Sequence, residues 1–404
     1  MHFSETKKID QRTGRAINRR LILNLVRRSD GLSRSQLSGR TGLSAAAVGF
    51  VVNDLLADGY LMEAPPVGGK SGRRPVPLQL NASGHVAIGV RVSLKQVECV
   101  LTDLAVNVID RRQAELAATT PGDVVGAAVE SVTSLLAGQR DLPPIAGIGL
   151  SLPARIEPGS GFCVHSYRLG WKNVPIGRML SERLGLPVVV ENDTLAYGLA
   201  HQMFGLGQNS ETFFALAVGE GIGCALVSDG RIRRGIRGEA GKVGHVRHKT
   251  PGPLCECGRE GCLQAWHSAA SLERRWAEGD PRPLPEALAG GDRDAQALVR
   301  DAGAAIGRHL AEWCIVADPE MVILGGEATA YGPAFTTAMK EALSAGHFET
   351  ETPEILTDES SFYWTAGAAA VAVQQVFDFE AAPRGASPKG AARAPDRPTG
   401  LVFG

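Results

Sequence analysis

A group of metal-binding side chains lies in the middle of the sequence, and its composition is typical of a zinc site. The four side chains are those of His245, Cys255, Cys257 and Cys262. One imidazole and three thiolates make a closed tetrahedral set for zinc, with no open position for a catalytic water. The sequence therefore predicts a structural zinc site. Two alternatives stay open: His248 as the fourth ligand, and a coincidental cluster of free thiols.

The expected cellular compartment of the protein favours a metal over disulfides at this cluster. The N-terminus is polar and lacks the apolar core of a signal peptide, and no apolar run approaches the roughly 20 residues that span a bilayer. We therefore expect a cytoplasmic protein with no membrane partner. In that reducing compartment a cysteine cluster indicates metal binding.

Charge is unevenly distributed along the chain, although the formal net charge is only -1. Residues 1–80 carry 13 Lys or Arg and 6 Asp or Glu, whereas the remainder carries 29 and 37. A basic N-terminal part on an acidic body indicates a polyanionic partner for the N-terminus. The competing interpretation is an ordinary solvated basic surface.

The elements of residues 15–80 predict a winged helix-turn-helix that binds double-stranded DNA. Apolar residues recur at helical spacing from Ile17 to about Arg28, and Ser33 and Ser44 are plausible N-caps of two further helices. Two extended pieces, 60–64 and 76–80, flank a tip rich in glycine and basic residues. A small helical packing or dimerisation module is the alternative.

In this motif the start of the second helix enters the major groove, and the flanking elements contact phosphates. Small side chains at the start of that helix permit close approach to thymine methyl groups. The wing tip is expected to reach the minor groove or its phosphates. The predicted contacts are Ser44, Ala45, Ala46, Ala47 and Gly49 in the major groove, Ser33, Arg34, Ser35 and Arg40 on phosphates, and Gly72, Arg73 and Arg74 in the wing.

Strands and helices alternate through residues 85–378, which predicts an α/β body of two lobes with a cleft between them. We expect residues 1–14 to be disordered. The segment 381–404 is dominated by Pro, Gly, Ala and Arg, and we expect it to be disordered too.

Together these features resemble the ROK family (repressor, open reading frame, kinase). The resemblance is carried by the winged helix, by Glu191-Asn192-Asp193, and by Gly244-His245 followed by the run Cys-x-Cys-Gly-x-x-Gly-Cys. It covers roughly residues 14–378. It implies an actin-like, sugar-kinase-like fold for the body, and assembly as a homodimer or a dimer of dimers.

The family contains both sugar kinases and regulators, so the site residues must distinguish them. Family kinases carry an Asp-x-Gly-Gly-Thr phosphate loop, where this chain has Arg91-Val92-Ser93-Leu94-Lys95. Their second phosphate loop reads Gly-Thr-Gly, where this chain has Gly219-Glu220-Gly221. Without the glycines the backbone cannot wrap phosphate oxygens closely, and a carboxylate repels them. The chain is therefore predicted to have no kinase activity.

The resemblance also implies which residues hold a sugar in the cleft. They are Asn192, Asp193, Lys242, His245 and Gln264. Lys242 and Gln264 stand where the family has glutamates, and this exchange moves the local charge by three units in the positive direction. One hypothesis is an anionic effector bound by Lys242. The alternatives are a neutral sugar with Lys242 turned to solvent, or no ligand.

These observations predict a DNA-binding transcription regulator of carbohydrate-related genes, most simply a repressor, controlled by a sugar or sugar derivative. Two other functions compete with this prediction. One is an active sugar kinase with an appended DNA-binding domain, and the other is a regulator that binds DNA independently of any ligand.

Overall fold

The N-terminal domain of the chain is a three-helix unit with a short antiparallel sheet. The computed structural model describes residues 11–65 and 75–377. The elements of this domain are helices α1 (Gln11–Arg27), α2 (Arg34–Thr41) and α3 (Ala45–Ala57) and strands β1 (Leu61–Glu63) and β2 (Leu78–Leu80), which pair antiparallel. This arrangement confirms the predicted winged helix-turn-helix fold. Helix α1 begins at Gln11, inside the segment that was predicted to be disordered, and that prediction was wrong for residues 11–14.

The predicted helix caps explain where α2 and α3 begin. The Ser33 hydroxyl accepts from the backbone N–H of Gln36, whose side chain accepts in turn from the Ser33 N–H, so the two residues form a capping box. Ser44 caps α3 by accepting from the N–H of Ala47. The helices are held by apolar side chains with no exposed surface, each contributing about 1.5–3 kcal/mol by burial. They include Ile22, Leu37, Val52, Leu55 and Leu78.

The body consists of two lobes whose central sheets share one arrangement. In the first lobe the strand order is β10 (Val188–Asn192), β6 (Ile145–Leu152), β3 (Val86–Val92), β4 (Gln96–Asp103) and β5 (Val108–Glu115). In the second lobe it is β13 (Arg231–Ile232), β12 (Ile222–Ser228), β11 (Phe213–Val218), β14 (Met321–Gly325) and β15 (Glu354–Thr357). Each sheet has three parallel strands at one side and two strands that join them antiparallel. This repetition confirms the predicted two-lobed α/β architecture.

The first lobe is formed by residues between 86 and 192. Its central strands are β3 (Val86–Val92), β4 (Gln96–Asp103), β5 (Val108–Glu115), β6 (Ile145–Leu152) and β10 (Val188–Asn192). Alternate residues of β3 face opposite sides of the sheet. Helices α4 (Pro121–Ala137) and α5 (Ile176–Leu184) cover one side. A small sheet of β7 (Arg155–Glu157), β8 (Phe162–Ser166) and β9 (Trp171–Val174) extends this lobe toward the cleft.

The second lobe follows the same plan. Its strands are β11 (Phe213–Val218), β12 (Ile222–Ser228), β13 (Arg231–Ile232), β14 (Met321–Gly325) and β15 (Glu354–Thr357). One side of the sheet is covered by helices α7 (Leu263–His267), α8 (Ala269–Ala277), α9 (Leu284–Ala289), α10 (Arg293–Ala317) and α11 (Pro333–Gly346). None of the described helices is long and apolar enough to cross a bilayer.

Two helices, α6 (Asp193–Phe204) and α12 (Phe362–Phe377), pack against each other and against the two sheets. The approach is close, because a Cβ at Gly149 of β6 would overlap the carbonyl oxygen of Ala368 in α12. Glycine is therefore required at this position, and α12 lies directly on the first sheet.

The DNA-binding domain is anchored on this helix pair. Asn24 of α1 donates to the carbonyl oxygen of Phe377, the last residue of α12. Arg27 of α1 donates to the carbonyl oxygen of Met203 in α6. The apolar core of the first three helices is continuous with that of α6 and α12. The predicted boundary at residues 81–84 is thus a boundary in sequence, while in space the two parts share a core.

Candidate functional site

A cavity of about 1150 Å³ lies in the cleft between the lobes, and both lobes supply its walls. All five residues predicted to hold a sugar line it, namely Asn192, Asp193, Lys242, His245 and Gln264. Asn192 and Asp193 lie at the junction of β10 and α6, and Gln264 lies in the first turn of α7. Lys242 precedes the turn 243–245, and His245 is its last residue. The fold therefore gathers residues that are far apart in the sequence into one site.

Asn192 and Asp193 are held at the start of α6. Asn192 is buried and caps the helix, accepting from the N–H of Leu195 at 3.2 Å. Its amide donates to Asp193 Oδ1 at 2.9 Å, and the N–H of Thr194 donates to the same oxygen at 2.8 Å. The helix N-terminus also favours a negative charge at this point. Asp193 is thus fixed as a hydrogen-bond acceptor facing the cavity.

Gln264 is buried and donates to Glu256 Oε1 at 2.9 Å. The same Glu256 oxygen lies 3.4 Å from Nε of Arg168, and both residues line the cavity. Gln264 itself has no carboxylate, and Glu256 therefore places one beside it. Glu256 and Arg168 were not predicted from the sequence. The only indication in the sequence was that Glu256 stands between two predicted zinc ligands.

Lys242 precedes the turn that carries His245. Burial lowers the pKa of Lys242, while the nearby carboxylates of Asp193 and Glu191 act in the opposite direction. Its ammonium group forms no ion pair or hydrogen bond with another side chain in the described part of the chain. The ammonium group therefore stands in the cavity wall with donors available to a ligand.

The four predicted zinc ligands converge. One donor atom from each of His245, Cys255, Cys257 and Cys262 lies within 4.8 Å of all the others. Cys257 Sγ is 3.7 Å from Cys262 Sγ, and Cys255 Sγ is 3.5 Å from His245 Nδ1. Tetrahedral zinc with ordinary bond lengths requires edges of about 3.5–3.8 Å, which these two separations match. Coordination through Nδ1 leaves Nε2 of His245 for the cleft.

His248, the alternative fourth ligand, lies in a different cluster. Its Nδ1 is 3.2 Å from Nε2 of His309, and its Nε2 is 3.1 Å from Nε2 of His267. The four-residue group around the cysteines contains His245 instead. The structure therefore separates the two histidines that spacing alone left as equivalent choices.

The end of the cleft that faces β3 and β4 carries side chains unfavourable to a triphosphate. Arg91 pairs with Glu98 at 3.3 Å and lies 5.5 Å over the ring of Trp364. Glu220 lines the cavity, and a Cβ at Gly219 would overlap the carboxylate of Glu327. The carboxylates of Glu220 and Glu327 would repel phosphate oxygens at this part of the cavity.

The N-terminal domain presents part of the predicted DNA-binding surface. Ala45, Ala46 and Arg40 are exposed. Ser33 is only 6% exposed, and its hydroxyl serves the capping box. Arg34 pairs with Glu63 of β1 at 2.9 Å. Of the other predicted contacts, Ser35 and Ser44 are exposed and Ala47 and Gly49 half-buried, while Gly72, Arg73 and Arg74 lie outside the described residues.

Two family models match the chain. A model of the ROK family matches residues 87–374, and a model of winged helix-turn-helix DNA-binding domains matches residues 15–62. The xylose repressor of Caldicellulosiruptor bescii is 28% identical over 359 residues, which cover 82% of this chain and 88% of that repressor.

Solved structures with the same fold include a regulator and a kinase. A ROK family transcriptional regulator, described as a homologue of the E. coli MLC protein, matches with a TM-score of 0.81 at 22% identity. That match covers 91% of this chain and 98% of the other. The ROK hexokinase from Thermus thermophilus matches with a TM-score of 0.61 at 28% identity, covering 72% of this chain and 99% of the hexokinase.

Proposed function

The chain belongs to the ROK family, and on that premise we propose that it is a DNA-binding transcription regulator, a repressor of carbohydrate-related genes. A sugar or sugar derivative bound in the cleft is the proposed effector. The support is a winged helix-turn-helix joined to the family body, and similarity to a xylose repressor over most of both chains. The protein would act on double-stranded DNA in the cytoplasm, as a homodimer or a dimer of dimers that places two winged helices on two half-sites.

One observation carries the proposal: helix α6 joins the two sites. It begins at Asp193 in the cleft, and its last turn contacts α1 of the DNA-binding domain through Met203. A helix of 12 residues is a rigid element about 18 Å long. A ligand that favours one arrangement of the lobes would reorient α6 and so the winged helix. It can do so only through different affinities for the two arrangements.

The proposed zinc has a structural role in this scheme. It would be held by His245, Cys255, Cys257 and Cys262, which leave no coordination position for a substrate. Two cavity residues depend on it directly: His245 is a ligand, and Glu256 lies between two ligands. Zinc would therefore hold the effector-binding loop in shape.

An active sugar kinase is the second candidate, favoured by Asp193 in the cleft and by the similarity to a hexokinase. The Arg91–Glu98 pair and the carboxylates of Glu220 and Glu327 weigh against it. In a coupled assay with MgATP and a panel of hexoses and pentoses, we expect no phosphoryl transfer. ATP-dependent phosphorylation that is lost in Asp193→Asn would establish the kinase instead.

The proposed function is tested by DNA binding with and without sugars. Genome-wide mapping of bound DNA supplies the operator, and fluorescence anisotropy then measures its affinity. We expect a sugar of the adjacent genes' pathway to weaken operator binding by roughly 5–150-fold, the usual range of coupling between sites. Asp193→Asn should lose this response and keep operator binding, while the surface change Asp294→Asn should behave as wild type.

Two results would contradict the proposal. If the protein bound no DNA site specifically, it would not be a transcription regulator. If no sugar altered operator affinity, either in the wild type or in Asp193→Asn, the protein would be a regulator that acts independently of ligand.

A further inference from the structure

We propose that the effector carries an anionic group, a carboxylate or a phosphate, which binds a subsite formed by the cations of Lys242 and Arg155 with the His165 ring beside them. This inference rests on the proposed function, because it specifies the ligand of the same cleft. All three residues line the cavity. Only Lys242 was singled out by the sequence analysis; the other two are brought to it by the fold.

The small sheet of the first lobe positions two of the three residues. Arg155 of β7 and His165 of β8 are directly paired across the two antiparallel strands. Paired residues of neighbouring strands extend their side chains to the same face of the sheet. Burial lowers the pKa of His165, and the positive charges of Arg155 and Lys242 lower it further. The three residues are therefore electrostatic neighbours at one wall of the cleft.

Two of these residues have a buried polar atom without a partner, and the third has an unpaired charge. Arg155 uses one terminal nitrogen to bind Glu239 at 2.7 Å, but its Nε is buried without a hydrogen-bond partner among the described residues. The same is true of Nδ1 of His165. The ammonium group of Lys242 has no ion pair among the described residues. A ligand that supplies hydrogen-bond partners here would remove the cost of leaving buried polar atoms unpaired.

The carboxylates around Lys242 already have other partners. Glu239 binds Arg155, Glu256 binds Arg168 and Gln264, and Glu191 binds Arg234 at 2.5 Å. Asp193 accepts from Asn192 and Thr194 at the start of α6. The charge of Lys242 is therefore not neutralised by any direct pair within the described chain. An anionic group of the ligand would complete that pair.

The remaining polar residues specify the rest of the ligand. An ionised carboxylate accepts hydrogen bonds but cannot donate them, so the side chains of Asp193 and Glu256 suit sugar hydroxyl groups, which can donate. The site thus offers acceptors for hydroxyl groups on one side and donors for an oxyanion on the other. A sugar acid or a sugar phosphate has both features, whereas a neutral sugar can accept from these donors through its hydroxyl oxygens but brings no charge to pair with Lys242.

Calorimetric titration of the full-length protein with matched ligands tests the inference. The pairs share a ring and differ in charge: glucose with glucuronate and glucose 6-phosphate, galactose with galacturonate, and N-acetylglucosamine with its 6-phosphate. We expect at least one anionic member to bind at least 10-fold more tightly than its neutral counterpart. Preference for the uronate or for the phosphate then identifies the anion.

Substitutions assign that preference to the subsite. Lys242→Met keeps the length of the side chain and removes its charge, so we expect it to abolish most of the preference for the anionic member of each pair. Arg155→Gln should act in the same direction and serves if Lys242→Met does not fold. The exposed Lys340→Met of α11 is the matched control and should retain the wild-type preference.

The outcomes separate this inference from the proposed function. Equal affinity for charged and neutral members, with binding lost in Asp193→Asn, would overturn the anionic subsite and leave a sugar-responsive regulator. An anionic preference unchanged in both Lys242→Met and Arg155→Gln would also overturn the subsite. Absence of binding by every sugar, charged or neutral, would contradict the ligand response itself.

Discussion

Arg27, the last residue of α1, donates a hydrogen bond of 3.1 Å to the carbonyl oxygen of Met203 near the end of α6. Its guanidinium also lies 5.2 Å from the ring of Phe377 and 6.0 Å from that of Phe204. Burial at this junction lowers the pKa of Arg27 to about 10, so the group remains charged at neutral pH. One side chain thus connects the DNA-binding domain to both α6 and α12.

We predict that Arg27→Met weakens communication between cleft and DNA. A hydrogen bond from a charged group contributes roughly 1.5–3 kcal/mol, so the free energy of unfolding should fall by about that amount. The change in operator affinity caused by the effector should shrink several-fold, while effector affinity is retained. Denaturant unfolding and anisotropy measure the two effects. The exposed neighbour Arg28→Met is the control; an undiminished effector response in Arg27→Met would argue against this route.

A second prediction concerns the recognition helix. Ala46 is exposed on the first turn of α3, so Ala46→Glu should fold normally and bring a carboxylate toward the DNA backbone. We expect operator affinity to fall at least 10-fold, because like charge opposes the dominant phosphate interaction. Anisotropy at two salt concentrations measures the loss. Ala345→Glu, at an exposed position of α11 in the body, is the control and should leave operator affinity unchanged. Unchanged affinity in Ala46→Glu would place the DNA elsewhere.

A third prediction concerns zinc. The purified protein should contain one zinc per chain by mass spectrometry, and Cys262→Ser should lose it because three ligands remain. We expect the variant also to lose sugar binding, since Glu256 and His245 lie on the same loop. Cys314→Ser alters a buried thiol outside the cluster and should keep the metal. Full zinc content in Cys262→Ser would show that this cysteine is not a ligand.

The fourth prediction concerns pH. Burial, and the neighbouring charges of His248 and Arg275, lower the pKa of His267 to about 3. An unfolded histidine has a pKa near 6.5, so from about pH 6.5 down toward pH 3 the unfolded chain binds a proton that the native chain excludes. Stability should therefore fall as the pH is lowered through this window, by up to about 1 kcal/mol per pH unit from this group.

The substitution His267→Phe tests that assignment, because it fills a similar volume and cannot titrate. Denaturant unfolding at pH 7, 6 and 5 should show a shallower loss of stability than in the wild type. His347→Phe, near the end of α11, should leave the pH dependence unchanged. If the free energy of unfolding fell equally steeply with pH in His267→Phe and in the wild type, groups other than His267 would be responsible for the pH dependence.

The sequence by itself determined the features that depend on neighbouring residues. Ser33 and Ser44 cap α2 and α3 as predicted, because a cap involves residues within one helical turn. The His-Cys cluster could be predicted because three of its members stand within eight residues. The family and the two-lobed body also followed from local residue identities.

Only the tertiary structure decided the relationships between distant residues. The pairing of Arg27 with Met203 spans 176 positions, and no local pattern encodes it. The choice of His245 over His248 depended on how the turn 243–245 faces the cysteines, and Lys242 acquired its neighbours Arg155 and His165 only when β7 and β8 packed beside it. Side-chain charge is a property of the sequence, but whether a charge is paired depends on which elements the folded chain places within a few ångströms of it.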